Sequence, residues 1–290
     1  MDKNLYKFMA FVKTAECGSF TKAAEELNYT QSAISRMIND LENEWQIKLL
    51  ERGKNGVTLT SDGMRIYPYC INVCNEYKKL EHAVDELRGL ERGIIRIGAF
   101  SSVATHWIPN IIKNFQKDYP KIDYEILLGD YKEIAEWLKS GRIDCGFTNL
   151  SYAKGFETEV LEKDELCVLL PKNHELSKYK EIPIKELEKY PFLLLEKSGI
   201  PECGEIFDKY GVKPQIHYTT WDDYSIMAMV ESGLGISVLP KLILKRIPYK
   251  VDIKSLNVSA YRNICVAVKD KTSLSKATTA FLAYLKYKDL

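Results

Sequence analysis

Paired cysteines, clustered histidines and long apolar runs are all missing from this sequence of 290 residues. The seven cysteines form no CxxC pair and the four histidines lie far apart, which argues against a disulfide framework and a structural zinc site. No metal and no cofactor is therefore expected. The N-terminus lacks the basic start and apolar run of a signal peptide, and no stretch approaches the roughly 20 apolar residues of a membrane span. We therefore expect the chain in the cytoplasm.

Catalytic signatures are missing as well. The sequence contains no GxSxG, no P-loop, no HExxH and no Cys/His pairing, so we predict that the chain is not an enzyme. Its 46% hydrophobic and 28% charged residues are typical of a globular protein, and its length suits two or three domains. The net charge of +1 neither favours nor excludes nucleic acid, because binding depends on where the charge lies.

Three helices are predicted in the first 45 residues. The first has apolar residues at the spacing of one helix face, namely Leu5, Phe8, Met9 and Val12. Gly18 breaks this helix, and either Ser19 or Thr21 can cap the second one. Thr30 lies where the third helix needs its N-cap.

The third helix separates into two faces. Its apolar stripe consists of Ile34, Ile38, Leu41 and Trp45, and its polar stripe of Ser32, Ser35, Arg36 and Asn39. A polar stripe is usually solvated surface, but this one begins at a helix N-terminus after a tight turn, as in a recognition helix that enters the major groove. Gln31 can read adenine, and Arg36 can read guanine or hold a phosphate. We therefore predict a DNA-reading face that includes Thr30.

A hairpin is predicted next, between Leu49-Leu50 and Val57-Thr58-Leu59. Asn55-Gly56 between apolar pairs is a strong hairpin signal. Arg52 and Lys54 lie near the tip, where they can contact backbone phosphates or the minor groove. The segment therefore predicts the wing of a winged helix-turn-helix.

The charge of this predicted module is nearly balanced. Residues 1–62 hold eight Lys and Arg against nine Asp and Glu, a net charge of −1. Neutralising phosphates supplies much of the affinity for DNA, so one copy should bind weakly. We therefore expect two or more copies to act together.

The same residues resemble a known family. The ordered signature is Phe11-Val12, Cys17-Gly18-Ser19-Phe20-Thr21-Lys22-Ala23-Ala24-Glu25-Glu26-Leu27, Thr30-Gln31-Ser32-Ala33-Ile34-Ser35-Arg36, Ile38, Leu41-Glu42, Leu49-Leu50-Glu51-Arg52 and Leu59-Thr60-Ser61-Asp62-Gly63. It is similar to the N-terminus of LysR-type transcriptional regulators. Ser32, Gln46 and Leu50 depart from the family's usual proline, glycine and phenylalanine.

A long helix is predicted over residues 64–88, with a heptad seam made of Ile66, Cys70, Val73, Tyr77, Leu80, Val84 and Leu87. Regular alternation of three and four residues favours a dimer seam over a helix packed on its own chain. The LysR resemblance also implies a dimer linker here. Pro68 should kink the helix or mark the boundary of its first turns.

Beyond Arg88–Gly93, strand and helix patterns alternate, which predicts an α/β fold with parallel strands. The predicted strands are Ile94–Ala99, Tyr124–Leu128, Asp144–Phe147, Cys167–Leu170, Phe192–Leu195, Gln215–Tyr218, Ile236–Leu239 and Ile264–Val268, with a last helix at Ser273–Tyr287.

The predicted chain is thus an α+β winged helix-turn-helix at residues 1–62, a linker helix at 63–89, and an α/β two-lobed periplasmic-binding-protein-like domain at 90–290. Lobe I covers about 93–163 and 266–290, and lobe II about 164–265.

Ligands of such folds bind at strand C-termini, between the lobes. The residues predicted there are Ser101, Ser102, Asp130, Thr148, Ser198, Ile200 and Trp221. The LysR resemblance favours Ser102 as an effector contact. Serines that hold a carboxylate, together with Asp130 or Asp222 holding an amine, would suit an amino-acid-like effector; a small organic acid is the alternative.

We therefore predict a sequence-specific DNA-binding transcription regulator modulated by a small-molecule effector. The resemblance implies an inverted-repeat operator, a homodimer or homotetramer, and RNA polymerase as a further partner that such regulators can contact. A redox-responsive regulator of the same family, signalling through Cys203, is the alternative. It lacks a resolving partner, because no second cysteine follows until Cys265. A free-standing solute-binding protein would need a signal peptide and would lack the N-terminal module.

Overall fold

A computed structural model describes residues 3–53, 56–87, 93–197, 200–201 and 203–289. They form two compact units. The first unit holds the residues up to Leu87 together with Ser140–Arg142, and the second holds the rest. Within these ranges no helix has the combination of length and apolar character that crossing a membrane requires.

The first unit contains four helices and a hairpin in its described part. They are α1 (Lys3–Cys17), α2 (Phe20–Leu27), α3 (Gln31–Trp45), β1 (Leu50–Gly53), β2 (Gly56–Leu59) and α4 (Ser61–Leu87). Ser19 rather than Thr21 caps α2, and Thr30 caps α3 by accepting from the Ala33 amide at 3.2 Å. The hairpin is antiparallel, with Gly53 opposite Gly56. The three predicted helices and the predicted wing are confirmed.

The core of this unit lies under the apolar stripe of α3. Ile34, Ile38 and Leu41 are buried there together with Phe11 and Leu49. Burying side chains of this size contributes about 1.5–3 kcal/mol each, which is how a helix as short as α3 is held in place.

Glu42, next to Leu41 on α3, fastens the hairpin to the helix. Its carboxylate is buried and accepts hydrogen bonds from the amides of Leu49 (2.8 Å) and Leu50 (3.1 Å) and from Lys48 Nζ (2.6 Å). Burial opposes the charged form of Glu42, but these donors outweigh it and lower the pKa of the carboxyl group below its ordinary value.

Two backbone features fix the ends of α3 and α4. Gln46 ends α3 in the left-handed region (φ 55°), where the family's usual glycine costs no strain. At Gly63, in the first turn of α4, an added Cβ would lie 2.1 Å from the carbonyl oxygen of Leu49. The close approach of α4 to the start of the hairpin therefore requires glycine at residue 63.

Helix α4 begins at Ser61 and continues through Pro68, so Pro68 does not mark its boundary; the alternative, a kink at Pro68, stays a prediction. The first turns of a helix tolerate proline best, yet Pro68 lies in its third turn.

The predicted seam residues of α4 fall into two groups. Cys70 is buried and Ile66 is half-buried, and both pack against the core of their own unit. Tyr77 is half-buried, whereas Val73, Leu80 and Val84 are exposed. The side chain of Leu87 lies outside the described residues. Among the described seam residues, those that present apolar side chains to solvent are therefore Val73, Leu80 and Val84.

The strands of the second unit are β3 (Gly93–Ala99), β4 (Ile122–Leu128), β5 (Cys145–Asn149), β6 (Glu157–Pro171), β7 (Glu181–Ile182), β8 (Pro191–Lys197), β9 (Ile200–Pro201), β10 (Gln215–Thr220), β11 (Ser237–Pro240), β12 (Val251–Leu256) and β13 (Tyr261–Val268). Its helices are α5 (Ser101–His106), α6 (Ile108–Asp118), α7 (Tyr131–Ser140), α8 (Gly204–Tyr210), α9 (Asp223–Glu231) and α10 (Lys276–Leu282). Every predicted strand is present, but β7, β9 and β12 were not predicted, and the predicted last helix is shortened to α10 between short 3₁₀ turns.

The predicted parallel strands are present, together with antiparallel pairs that the sequence analysis did not predict. β3 pairs parallel with β4 and β5, and β8 pairs parallel with β10, but β13 runs antiparallel to both β5 and β6. The reason is that the chain leaves the sheet of β3, β4 and β5 along β6 and returns to it along β13. Residues 157–165 of β6 pair with β13, and residues 166–171 pair with β11 and β12.

This crossover separates two lobes with their own cores. Lobe I packs its helices around β3, β5 and β13, with Trp107, Phe115 and Phe147 fully buried. Lobe II buries apolar side chains on both faces of the strands around β8 and β11. Since β13 starts at Tyr261, the chain returns to lobe I a few residues before the predicted position.

We predict that Glu42→Gln lowers the stability of the hairpin by about 1 kcal/mol at neutral pH, because hydrogen bonds to a charged acceptor are worth more than those to a neutral one. Since the pKa of Glu42 is lowered in the folded chain, its contribution is complete above the ordinary glutamate pKa of 4.5 and is lost as the pH falls through the lowered value. Amide hydrogen exchange of residues 46–60 in the full chain, from pH 3 to 7, measures this difference.

The exposed Glu25→Gln is the matched control and should leave this exchange unchanged. An equal effect of Glu42→Gln at pH 3 and pH 7 would contradict the role assigned to the charge.

Candidate nucleic-acid interface and ligand cavity

The polar face of α3 is accessible. Thr30, Gln31, Ser32, Arg36 and Asn39 are exposed, with 85% of the Arg36 side chain open to solvent. Ser35 is half-buried. Because the opposite face of α3 packs into the core, these side chains lie on the outward face, mostly toward the N-terminal end that recognition helices present to base edges.

Several cations of the first unit are already engaged in ion pairs. Lys7 pairs with Glu44 (2.8 Å), and Lys48 pairs with Glu42 (2.6 Å). Lys13 also pairs, with Glu16 and Glu26, both at 3.0 Å. These lysines bring little uncompensated positive charge to a phosphate backbone.

Arg36 differs, because its one described ion pair, with Asp40, is long (4.0 Å) and exposed. Such a pair holds the side chain only weakly. Arg52 lies on β1, but its side chain and all of Lys54 lie outside the described residues.

A cavity of about 250 Å³ lies in the second unit. Its lining comes from both lobes: Phe100, Ser101, Ser102, Asp130, Tyr131, Asn149 and Tyr152 from lobe I, and Leu166, Lys197, Gly204, Glu205, Ile206, Asp208 and Asp223 from lobe II, with Tyr261 and Arg262 from the start of β13. Its size suits a metabolite smaller than a typical drug molecule.

Arg262 is the centre of a buried network at one wall of this cavity. Its Nε donates to Asp164 Oδ2 (2.9 Å), and its Nη2 contacts the same oxygen at 2.7 Å. Nη2 also donates to Ser102 Oγ (2.7 Å), and Nη1 donates to Tyr131 Oη (2.9 Å). The guanidinium lies 4.8 Å from the centre of the Phe100 ring. Burial raises the pKa of Asp164, and the charge of Arg262 opposes that rise.

Lys197 supplies a second cation, at the end of β8. Its Nζ lies 3.0 Å from Asp223 Oδ2 and 3.5 Å from Ser101 Oγ, so it connects a lobe II strand to the serine pair of lobe I. Ser101 and Ser102 therefore each contact a cation on the cavity wall.

Carboxylates outnumber cations in the lining. The lining contains two cations, Lys197 and Arg262. It contains four acidic residues, namely Asp130, Glu205, Asp208 and Asp223. Asp130 also caps α7, where its Oδ1 accepts from the amides of Lys132 (2.8 Å) and Glu133 (2.9 Å).

The residues predicted for the effector site are only partly brought together. Ser101, Ser102 and Asp130 line the cavity. Thr148 is fully buried, its hydroxyl has no hydrogen-bond partner, and it does not belong to the lining. Trp221 is 75% exposed and also lies outside the lining.

Ser198 lies outside the described residues, as does the side chain of Ile200, whose backbone forms β9. Asp222 does not line the cavity; it caps α9 by accepting from the amide (2.9 Å) and hydroxyl (2.7 Å) of Ser225.

Sequence reasoning missed the two cations. Lys197 could have been found, because it ends a predicted strand and the cleft lies at strand ends. Arg262 could not have been found in this way, because its partners Asp164 and Ser102 lie 98 and 160 residues away from it in the sequence.

Cys203 is buried in the lobe II core next to Phe207, at the start of α8. It is not part of a disulfide. An oxidant would have to enter this core to reach the sulfur, because reactive cysteines are usually accessible thiolates.

Two family models match the chain. "Bacterial regulatory helix-turn-helix protein, lysR family" matches residues 5–64, and "LysR substrate binding domain" matches residues 88–289. The chain belongs to the LysR family of transcriptional regulators. It is accordingly a DNA-binding transcription regulator with an effector-binding domain, as the sequence predicted, and not an enzyme.

Relatives of this LysR-family chain agree with the assignment. It is 31% identical over 279 residues to the "Uncharacterized HTH-type transcriptional regulator YvbU" of Bacillus subtilis, covering 95% of each chain. It is 30% identical to the "HTH-type transcriptional regulator BenM" of Acinetobacter baylyi, covering 79% of this chain and 78% of the relative.

Among solved structures, the fold is similar to that of "full-length CbnR complexed with the target DNA complex". The TM-score is 0.72 at 19% identity, and 99% of each chain is covered. The winged helix-turn-helix, the linker helix and the two-lobed domain are thus confirmed as a LysR-type architecture.

We predict that Arg36→Ala weakens binding to a duplex selected from a random pool by the wild-type chain. A guanidinium that reads a base contributes about 1–3 kcal/mol of discrimination, so the variant should also accept other bases at one position. Fluorescence anisotropy with the selected duplex and its single-base variants measures both effects.

Arg246→Ala, an exposed arginine in the second unit, is the matched control and should bind like the wild type. If Arg36→Ala weakened binding to every duplex equally, Arg36 would contact phosphate rather than a base.

Proposed function

We propose that this LysR-family regulator responds to an amino-acid-like effector held in the cavity between its lobes. The observation that carries the proposal is the composition of the lining, which offers two cations and four carboxylates. A ligand with one carboxylate and one ammonium group matches both.

The carboxylate of the effector would bind at the wall that holds Ser101 and Ser102. Lys197 and Arg262 place positive charge within hydrogen-bonding range of these two hydroxyls. Hydrogen bonds to an ionised carboxylate are about twice as strong as neutral ones, so this wall suits the anionic end.

The ammonium group would bind near Asp130, with Glu205 and Asp208 adding negative charge to the lining. Tyr152 and Tyr261 also line the cavity, and aromatic faces attract cations. A dicarboxylate would bring a second negative charge to these groups and be repelled.

The DNA-binding residues proposed for the first unit are Thr30, Gln31, Ser32, Ser35, Arg36, Asn39, Arg52 and Lys54. Since residues 1–62 carry a net charge of −1, one copy should bind DNA weakly, and we propose that the regulator binds an inverted-repeat operator as a homodimer or homotetramer. Val73, Leu80 and Val84 follow the 3.5-residue repeat and are exposed, which supports pairing of α4 with a second copy.

The domain division proposed from the sequence, at residues 62–63 and 89–90, fits this scheme. A regulator of transcription works where the DNA is, so we also propose a cytoplasmic location. RNA polymerase is the further proposed partner, since it is the enzyme whose output such a regulator alters.

Calorimetry on the full chain with the twenty protein amino acids, succinate and glutarate tests the effector class. We predict that at least one amino acid binds more tightly than either dicarboxylate. Asp130→Asn should weaken that binding about tenfold, because it removes charge while an asparagine still caps α7.

Asp222→Asn is the matched control, since it makes the same change at a helix cap outside the cavity. Tighter binding of the dicarboxylates, or equal losses in both variants, would overturn the amino-acid assignment.

A further inference from the structure

The ion pair of Arg262 and Asp164 lies at the crossover between the lobes. The two residues face each other in the register of β13 and β6. One residue further along β6, Glu165 pairs with Tyr261, and from Leu166 onward the partner of β6 is β11. The pair therefore lies one residue before the end of the β6–β13 pairing, close to the point where β6 changes partners.

Each member of the pair also reaches a different part of the second unit. Asp164 Oδ1 accepts from the amide of Leu242, two residues after β11. Arg262 donates to Ser102 at the start of α5 and to Tyr131 at the start of α7. One buried ion pair thus connects the turn after a lobe II strand to two helices of lobe I.

The Arg262 guanidinium also determines the hydrogen-bonding role of the Ser102 hydroxyl. A serine hydroxyl has one proton to donate and can accept as well, and an arginine can only donate. Because Arg262 donates to Ser102 Oγ at 2.7 Å, the oxygen serves as the acceptor, and the Ser102 proton remains to be donated to another group. Ser102 lines the cavity, so an anion bound there is the suitable acceptor.

We propose that Arg262 is a positioning residue: it turns Ser102 into a hydrogen-bond donor for a carboxylate and, through Asp164, ties that donor to the crossover. This rests on the proposed binding of a carboxylate in the cavity, but not on the amino-acid class of the effector. A ligand that bonds to Ser102 would thereby act on the strands that join the lobes.

The planar geometry of the Arg262 guanidinium matters here as well as its charge. Arg262 contacts Asp164, Ser102 and Tyr131 at once through three nitrogens. A lysine carries the same charge but cannot hold these groups in one plane. The proposal therefore predicts that arginine cannot be replaced by lysine at this position.

Acetate, the simplest carboxylate, is the probe, with methylammonium as the cationic counterpart. NMR titrations of the full chain would follow the Ser102 amide and the Arg262 Nε–Hε resonance. We expect acetate to shift both. We expect its affinity to fall at least tenfold in Ser102→Ala and in the neutral pair Asp164→Asn/Arg262→Gln, which avoids an unpaired buried charge.

Combining Ser102→Ala with the neutral pair should cause no further loss, because all three residues act through one hydroxyl. Methylammonium binding should stay unchanged in every variant, which a general structural defect would not allow. Arg96→Gln/Glu125→Gln neutralises another arginine pair of this unit (3.3 Å) outside the cavity lining and should bind acetate normally.

Several results would overturn the inference: no acetate shift at Ser102 and Arg262 in the wild type, multiplicative losses in the combined variant, or an Arg262→Lys variant that binds acetate normally. A preference for dicarboxylates over amino acids in calorimetry would defeat the proposed effector class alone and leave the acetate result standing.

Discussion

A buried ion pair between neighbouring strands, Asp164 and Arg262, holds together the part of the second unit on which ligand response depends. Breaking such a pair by removing one partner typically costs about 3–5 kcal/mol, because the other charge stays buried. Here the pair lies at the point where β6 leaves lobe I, and its remaining bonds reach Ser102, Tyr131 and the turn after β11. The cavity wall and the crossover between the lobes therefore share one hydrogen-bond network.

In the first unit, three described lysines are paired with glutamates of the same unit, and residues 1–62 carry a net charge of −1. Lys7, Lys13 and Lys48 neutralise glutamates of the same unit, and the buried Glu42 fastens the hairpin to α3. The proposed reading face would therefore have little net attraction for phosphate. In the proposed assembly, a second copy paired through the exposed part of α4 would add the DNA contacts that one copy lacks, and a ligand could change the arrangement of the copies.

Local patterns predicted most of the fold. The caps at Ser19 and Thr30, the hairpin around Gly56 and the principal strands follow from residues close in sequence. The antiparallel return of β13 did not, because strand direction depends on pairing across about a hundred residues. The cavity shows the same division: Ser101, Ser102 and Asp130 were predicted from strand ends, whereas Arg262 is placed by long-range register. Thr148 lies within β5 and is fully buried, whereas Trp221 follows β10 but is exposed to solvent.

We expect occupation of the cavity to alter DNA binding by the first unit. The most direct measurement is a footprint of the full chain on DNA selected by the wild type, with and without the tightest-binding amino acid from calorimetry, for wild type and Ser102→Ala. We predict that the amino acid changes the footprint of the wild type and leaves that of Ser102→Ala unchanged at the same concentration. Identical footprints with and without the amino acid, at concentrations that saturate the cavity of the wild type, would contradict it.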